Sequence, residues 1–395
     1  MTRVLSPGDL SGKRARGRVR VGGRVASLEP LLVADALGAL RIEPPLAVEA
    51  GDQVVVEGRY AGGRLESARL VERFPAPPSA AGGEFSRLAW DGVGKRLLLR
   101  ARAFSAIRDY FREQDFVEVD TPQRVPTPGL DPHVDALRAG RGYLVTSPEH
   151  AMKRLLAGGL PRIYQLSHCW RADEQGPLHQ PEFMLCEWYR AFAGQDDVIA
   201  DTEQIVVRVA TLLADGLRAP DGRRLELTLP FPRIGVRQAF RRYADVSDAV
   251  ELAARDEDRF FELLVDRVEP ALARRRRPVF LCDYPLSQAS LARPSPRDPS
   301  VAERFELYAG GVELCNGFGE LTDAAEQRRR FRRARAERRQ RGRPVYPRDE
   351  RLLAALEEGM PPAGGNALGV DRLIALALGA PAIVDVMPFP GPPTG

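Results

Sequence analysis

Apolar and polar positions change their period several times along this chain. From residue 17 to 74 they alternate in short runs: RVRVGGRVASL, LLVADALGALRIEP, DQVVVEGRY and RLESARLVERF. Turns fall at Gly22-Gly23, Gly38, Gly51-Asp52 and Gly62-Gly63. Alternation with glycine punctuation predicts half-buried strands. Between Arg87 and Phe116 the period lengthens, with apolar residues at Leu97, Phe104, Ile107 and Phe111, which predicts a long helix. The run FVEVDTP then reads as a short strand stopped by Pro122. Ser147-Pro148-Glu149 opens a second helix, with serine as N-cap, proline in the first turn and glutamate favouring the dipole. Ile163–Arg171 and Glu182–Tyr189 predict two strands, joined by a loop that Gly176, Pro177 and Pro181 keep out of the sheet.

About five short strands in one small unit predict an OB-like β barrel over 17–74. Such barrels grip single strands with aromatic platforms; Tyr60 and Phe74 are the only aromatics here, so packing or partner docking is the expected role. Residues 1–16 are expected to be disordered, and 75–86, opening with PAPPSAAGG, to be a linker. The rest, 87–395, forms one larger domain. Its 193–278 stretch reads as charged helices, 279–291 as a strand and turn, and AERFELYAGGVELCNGFGEL as a strand pair. Gly310, Gly311, Gly317 and Gly319 argue against a helix in that last segment and would let backbone approach a ligand. AAEQRRRFRRARAERRQRGRPVYP predicts a basic helix, read first as a solvated face, with an acidic protein or RNA surface as the alternative. Gly364-Gly365 and Gly369 surround the entry to a helix over Val370–Leu378, which Gly379 ends.

Composition narrows the class. Hydrophobic content of 44% with 28% charged residues is that of a chain able to bury a sizeable core. Net charge is +4, so an anionic partner is compatible but not demanded. No apolar run approaches the ~18 residues of a membrane span, and no apolar stretch follows the basic N-terminus as in a signal peptide. The four cysteines, Cys169, Cys186, Cys282 and Cys315, are far apart and read as reduced thiols of a cytoplasmic protein.

The candidate chemistry lies on the second predicted strand. Alternation puts Phe183, Leu185, Glu187 and Tyr189 on one face, and Met184, Cys186 and Trp188 on a plain core face. A ring, a carboxylate and a phenol, with Arg171 at the loop entry, suit a nucleotide and a charged substrate. Glu313, Asn316 and Glu320 could offer oxygen ligands to a magnesium ion. Arg372, a cation at a helix N-terminus, makes sense beside an anion.

Three of these features together resemble class II aminoacyl-tRNA synthetases: the hairpin with its arginine, the E-x-x-N-x-x-x-E turn and G-x-A-L-G-V-D-R. The chain resembles most the elongation factor P lysine ligase family, the lysyl-tRNA synthetase paralogue. TSPEHAMKRLL, PEFMLCEWYRAF, SQASLA, VAERFELY, VELCNGFGELTDA and ALGVDRLIALALGA carry that likeness over about residues 88–390. It implies an α+β fold, a class II antiparallel sheet flanked by helices, preceded by the small barrel. It implies ATP-dependent activation of lysine or (R)-β-lysine to an aminoacyl-adenylate, and transfer to a lysine of elongation factor P. Arg171 and Arg372 would be the catalytic cations. ATP would contact Arg171, Asp173, His179, Gln180, Phe183, Glu313, Leu314, Gly369 and Arg372, with adenine between Phe183 and Arg372. The amino acid would contact Ser147, Glu149, Glu187, Tyr189, Asn316, Glu320 and Ala367. Magnesium would sit on Glu313 and Glu320. The Leu97–Pro122 segment resembles a dimer-forming motif.

Departures are specific. Arg171-Ala172-Asp173 replaces R-x-E, with Glu174 next to it, and Gln180 stands where the family has asparagine. Ala367 occupies a position where lysyl-tRNA synthetases carry glycine and the paralogue alanine. A tRNA-charging enzyme and a non-catalytic paralogue are the alternatives. Ala367 and the aromatic-poor barrel speak against the first, and the joint presence of Arg171, Glu313, Glu320 and Arg372 against the second.

Overall fold

The computed structural model describes residues 3–10, 17–214 and 216–391, in two compact units, 1–101 and 102–395. In the first unit five strands close a barrel: β1 (Gly17–Leu28), β2 (Leu31–Ala34), β3 (Ala39–Ile42), β4 (Gln53–Ala61) and β5 (Arg64–Phe74). Their order is β1-β2-β3-β5-β4, and β4 pairs back onto β1. The run LLVADALGALRIEP is two strands, because Asp35 Oδ1 accepts from the amides of Leu37 and Gly38 at 2.7 Å and closes a turn. Tyr60 is buried in the barrel and its hydroxyl donates to the Leu10 carbonyl, so it is core and not a stacking platform. Where sequence suggested disorder, Val4–Leu5 pairs parallel to β1 and Pro7–Leu10 makes one helical turn whose Leu10 is 2% exposed. Residues 11–16 of that expected disordered segment lie outside the described residues.

The predicted long helix begins later than its pattern. Gly92, at φ +76°, separates a short turn at Ser86–Trp90 from α1 (Val93–Glu113). In the second unit an eight-stranded sheet runs β9-β10-β11-β12-β13-β8-β7-β6. Its strands are β6 (Val117–Glu118), β7 (Arg162–Trp170), β8 (Glu182–Ala191), β9 (Arg233–Gly235), β10 (Val279–Pro285), β11 (Val301–Ala309), β12 (Val312–Gly319) and β13 (Ala363–Gly369). The two edge pairings are parallel and the others antiparallel. The helices that frame it are α2 (Glu149–Ala157), α3 (Gln195–Leu213), α4 (Ala324–Gln340), α5 (Glu350–Gly359) and α6 (Val370–Leu378). Gly310 and Gly311, at φ +60° and +88°, make the tight turn between β11 and β12.

Helix α4 is the basic segment, and part of its charge is structural. Arg338 is fully buried and donates to the carbonyls of Asp131, Val134 and Pro344, while Arg328 pairs with Glu350 and Glu357. Arg332, Arg333 and Arg339 remain on the exposed face. The four cysteines are buried and unpaired. No helix among the described residues is long and apolar enough to cross a membrane.

Candidate active site

The hairpin β7–β8 pairs from Ile163 opposite Tyr189 to Trp170 opposite Glu182. Trp188 and Cys186 are fully buried on its core face, as alternation predicts. The opposite face continues across the sheet through the register. Glu187 lies opposite Ala367 on β13, Ala367 opposite Asn316 on β12, and Asn316 opposite Glu306 on β11. One step along, Tyr189, Gly365, Phe318 and Arg304 form a second row. Strict alternation would send Glu313 and Asn316 to opposite faces. The register slips between Tyr308–Glu313 and Leu307–Cys315, so Leu314 is an extra residue that brings both to one face.

At one end of this face three carboxylates converge. Glu187 is 1% exposed; it accepts from Ser147 Oγ at 2.7 Å and from the Tyr189 hydroxyl at 2.6 Å. Ser147 Oγ also accepts from the Glu149 amide at 3.2 Å; Pro148, and not the expected Ser147, is the N-cap residue of α2. Lys153 Nζ lies 2.6 Å from both Glu149 Oε1 and Glu320 Oε2. Burial, and next the Glu149 charge, push the Glu187 carboxyl above the usual range. Burial also raises Glu320, against the pull of Lys153. For Lys153 burial opposes the charge, but the two carboxylates outweigh it and hold its pKa above the ordinary lysine value. Gly365 is required here: a β-carbon would lie 2.3 Å from Tyr189 Cε1 and 2.4 Å from Glu320 Oε1.

At the other end lie the cations. Arg171 covers the Phe183 ring, 5.1 Å from its centroid, with Glu174 Oε1 3.7 Å from Nη1. Asp173 is exposed at φ +62°, so Glu174 and not Asp173 faces Arg171. Arg372, in the first turn of α6, donates to the carbonyls of Glu313 at 2.8 Å and Leu178 at 3.2 Å. Its Nη2 is 2.7 Å from His179 Nε2, and its Nη1 is 3.6 Å from the Glu313 carboxylate. A β-carbon on Gly369 would touch Arg372 Cδ at 3.5 Å and the Leu314 carbonyl at 3.7 Å, which places both residues behind that guanidinium.

Two expectations are corrected. Glu313 and Glu320 do not share an ion: seven residues of extended chain separate them by on the order of 20 Å, and Glu320 is paired with Lys153. The partner of Glu313 is Glu306, its diagonal neighbour on the same face, whose carboxylate accepts from Arg304, Tyr284 and Tyr308. Burial and the Glu306 charge push the Glu313 carboxyl up. Gly317 and Gly319 do not open the backbone to a ligand; β-carbons there would strike Phe305 at 2.3 Å and Glu303 at 2.1 Å. The residues that sequence reasoning missed are Glu306, Lys153 and the Arg304, Tyr284 and Tyr308 set. The seven-residue spacing of Glu306, Glu313 and Glu320, and the four-residue helical spacing of Glu149 and Lys153, were the available signals.

Buried side-chain atoms without a hydrogen-bond partner at this face include Arg171 Nε, Arg304 Nε, Asn316 Oδ1 and Glu320 Oε1, together with Gln180 Oε1 in the β7–β8 loop. Buried polar atoms are normally paired, so donors and acceptors lie ready for a polar ligand along the whole row. A cation over an aromatic ring, a second cation beside the Glu313 carboxylate and a carboxylate pocket on one antiparallel sheet define an adenylate-forming site of the class II synthetase type.

Comparison with known proteins agrees. Residues 84–392 match the family described as tRNA synthetases class II (D, K and N). The elongation factor P–(R)-β-lysine ligase of Edwardsiella ictaluri is 42% identical over 313 residues, covering 74% of this chain and 94% of that protein. Its counterparts in Proteus mirabilis and Klebsiella pneumoniae are 41% and 39% identical over 314 and 322 residues, with the same coverage. The chain belongs to the elongation factor P–(R)-β-lysine ligase family of class II synthetases.

Proposed function

We propose that this enzyme joins (R)-β-lysine, or lysine, to ATP as an aminoacyl-adenylate and passes the aminoacyl group to a lysine side chain of elongation factor P. The observation that carries the reading is the row of register partners from Glu187 in the carboxylate pocket through Ala367 and Asn316 to Glu306, whose neighbour Glu313 lies 3.6 Å from Arg372. The substrate's two ammonium groups are held by Glu187, Glu320 and Glu149, with Tyr189 and Asn316 as hydrogen-bonding partners. A site built to pair buried carboxylates rejects uncharged analogues, because each would leave a carboxylate unpaired.

Adenine stacks at Phe183, next to Gln180, with Arg171 on the α-phosphate and Arg372 with His179 toward the γ-phosphate. The substrate carboxylate attacks the α-phosphorus, the bond to the β-phosphate breaks, and pyrophosphate leaves. The attacking carboxylate is already ionised, so positioning and charge neutralisation by the two arginines carry this step. The acceptor amine then attacks the acyl carbon, loses a proton and displaces AMP. Glu313 would be the principal ligand of a magnesium ion, with Glu306 adding only the Oε1 lone pair that Arg304 leaves; a bound ion would neutralise charge on the phosphates. The enzyme acts as a homodimer through α1 and β6, by likeness to the dimer-forming segment of class II enzymes.

The test is ATP–pyrophosphate exchange with each lysine isomer, followed by transfer to elongation factor P or to tRNA. Exchange with a lysine isomer and labelled elongation factor P are expected; efficient charging of tRNA alone would overturn the reading.

A further inference from the structure

Lys153 is absent from the chemistry above, yet its ammonium lies in the middle of the substrate pocket. Its side chain is 2% exposed, and it reaches Glu149 on its own helix and Glu320 at the end of β12 at equal distances of 2.6 Å. The groups that face this cluster are Glu149 from α2, Glu187 and Tyr189 from β8, Glu320 and Arg293. Arg293 is already taken, 2.7 Å from Glu303, so it adds no net charge. When all three carboxylates are ionised, they and the one ammonium leave two negative charges, the number that a diamino acid's ammonium groups cancel.

We propose that Lys153 is a positioning residue and internal counter-ion that favours the ionised form of this carboxylate pocket, so that a diammonium substrate expels fewer protons on entering. The proposal rests on the diamino acid reading above.

The physical reason is the cost of burying like charges. Glu187 and Glu320 are each 1% exposed, and a buried carboxylate without a nearby cation takes up a proton. Each proton taken up must leave again before an ammonium group can pair with that oxygen. Removing Lys153 thus couples substrate binding to proton release, and binding then strengthens as pH rises. A role in packing alone would weaken binding equally at every pH.

Lys153→Met keeps the buried stem and removes the charge; Lys153→Gln keeps a donor as well and serves if the first variant does not fold. KM and kcat for the lysine isomers are measured by pyrophosphate exchange from pH 6 to 9. In either variant KM at pH 7 is expected to rise at least tenfold, with kcat changed less than threefold. The fall of KM with rising pH is expected to move up by at least one pH unit relative to the parent enzyme. A folded variant whose KM is unchanged, or raised by the same factor at all pH values, overturns the proposal. If the parent enzyme supports exchange with no lysine isomer, the substrate reading fails by itself. The counter-ion is then read by carbon-13 titration of the glutamate carboxyls in free protein: Glu320 should titrate at higher pH in the variant, and an unmoved titration overturns the proposal.

Discussion

Arg372 Nη2 meets Nε2 of His179 at 2.7 Å, and because arginine has only donors the ring accepts there and carries its proton on Nδ1. This contact fastens the loop between β7 and β8 to the start of α6. Partial burial, then the Arg372 charge, hold the His179 pKa below the ordinary value of 6.5. The accepting, neutral form therefore prevails above that depressed pKa, and the contact is lost as pH falls through it. His179→Gln offers an oxygen that does not titrate. Pyrophosphate exchange in this variant is expected to lose the part of its acid-side decline that begins below pH 6.5 in the parent; an identical acid limb would sink the assignment.

Arg372→Ala is expected to lower exchange by about 10²–10³-fold, the usual loss for one preorganised charge contact. Its denaturation midpoint should stay near the parent's. Near-normal exchange in the folded variant would refute the role given to this residue.

The metal pair can be separated from the amine pocket by titration. Glu306→Gln and Glu313→Gln should each require at least tenfold more magnesium for half-maximal exchange. Glu320→Gln should raise the KM for lysine and leave the magnesium requirement unchanged. A raised magnesium requirement in the last variant, with none in the first two, would restore the rejected pairing.

Gly365→Ala sets a methyl group against Tyr189 Cε1 at 2.3 Å, inside van der Waals contact. Overpacking of this kind costs about 1–3 kcal/mol, measurable by denaturant unfolding. Because Tyr189 donates to Glu187 at 2.6 Å, the KM for lysine should rise as well. A variant with both stability and KM unchanged would contradict the packing described.

Ala367 lies between Glu187 and Asn316 in the central row. Ala367→Gly restores the residue of lysyl-tRNA synthetases. The ratio of kcat/KM for α-lysine over (R)-β-lysine should increase, read by exchange with each isomer; an unchanged ratio would show that the methyl group does not discriminate.

The hairpin was legible because β8 alternates a core face of Met184, Cys186 and Trp188 with a chemical one. The glycine-ended helix α6 was legible from its turn residues. Strand β13 was not. Its sequence, AGGNALG, carries no alternation and little β-propensity, because both of its faces are crowded: a β-carbon on Gly364 would lie 2.5 Å from the Gly194 carbonyl, and one on Gly365 would enter the Tyr189 ring. The central strand of the site is thus hidden by the same close packing that makes it central. Glu306 was hidden for another reason: its partners Tyr284 and Arg304 come from separate positions that only strand pairing brings together. The pairing of Glu313 with Glu320 conflicts with the strand reading of its own segment, since seven residues at ~3.3 Å each part the two carboxylates.

The extra residue Leu314 has a consequence for how this chain can vary. Glu320 follows Glu313 by seven positions, an odd step that plain pleating would send to opposite faces. Leu314 corrects it once. Deleting Leu314 alone would leave Glu313 two positions before Asn316, on the same face by plain alternation, whereas deleting or inserting one residue between Asn316 and Glu320, where no bulge compensates, would put those two on opposite faces. Phosphate chemistry and amine recognition are therefore held in phase by a whole number of residues. A one-residue insertion or deletion between Asn316 and Glu320 would separate the two ends of the face, which a substitution there would not do.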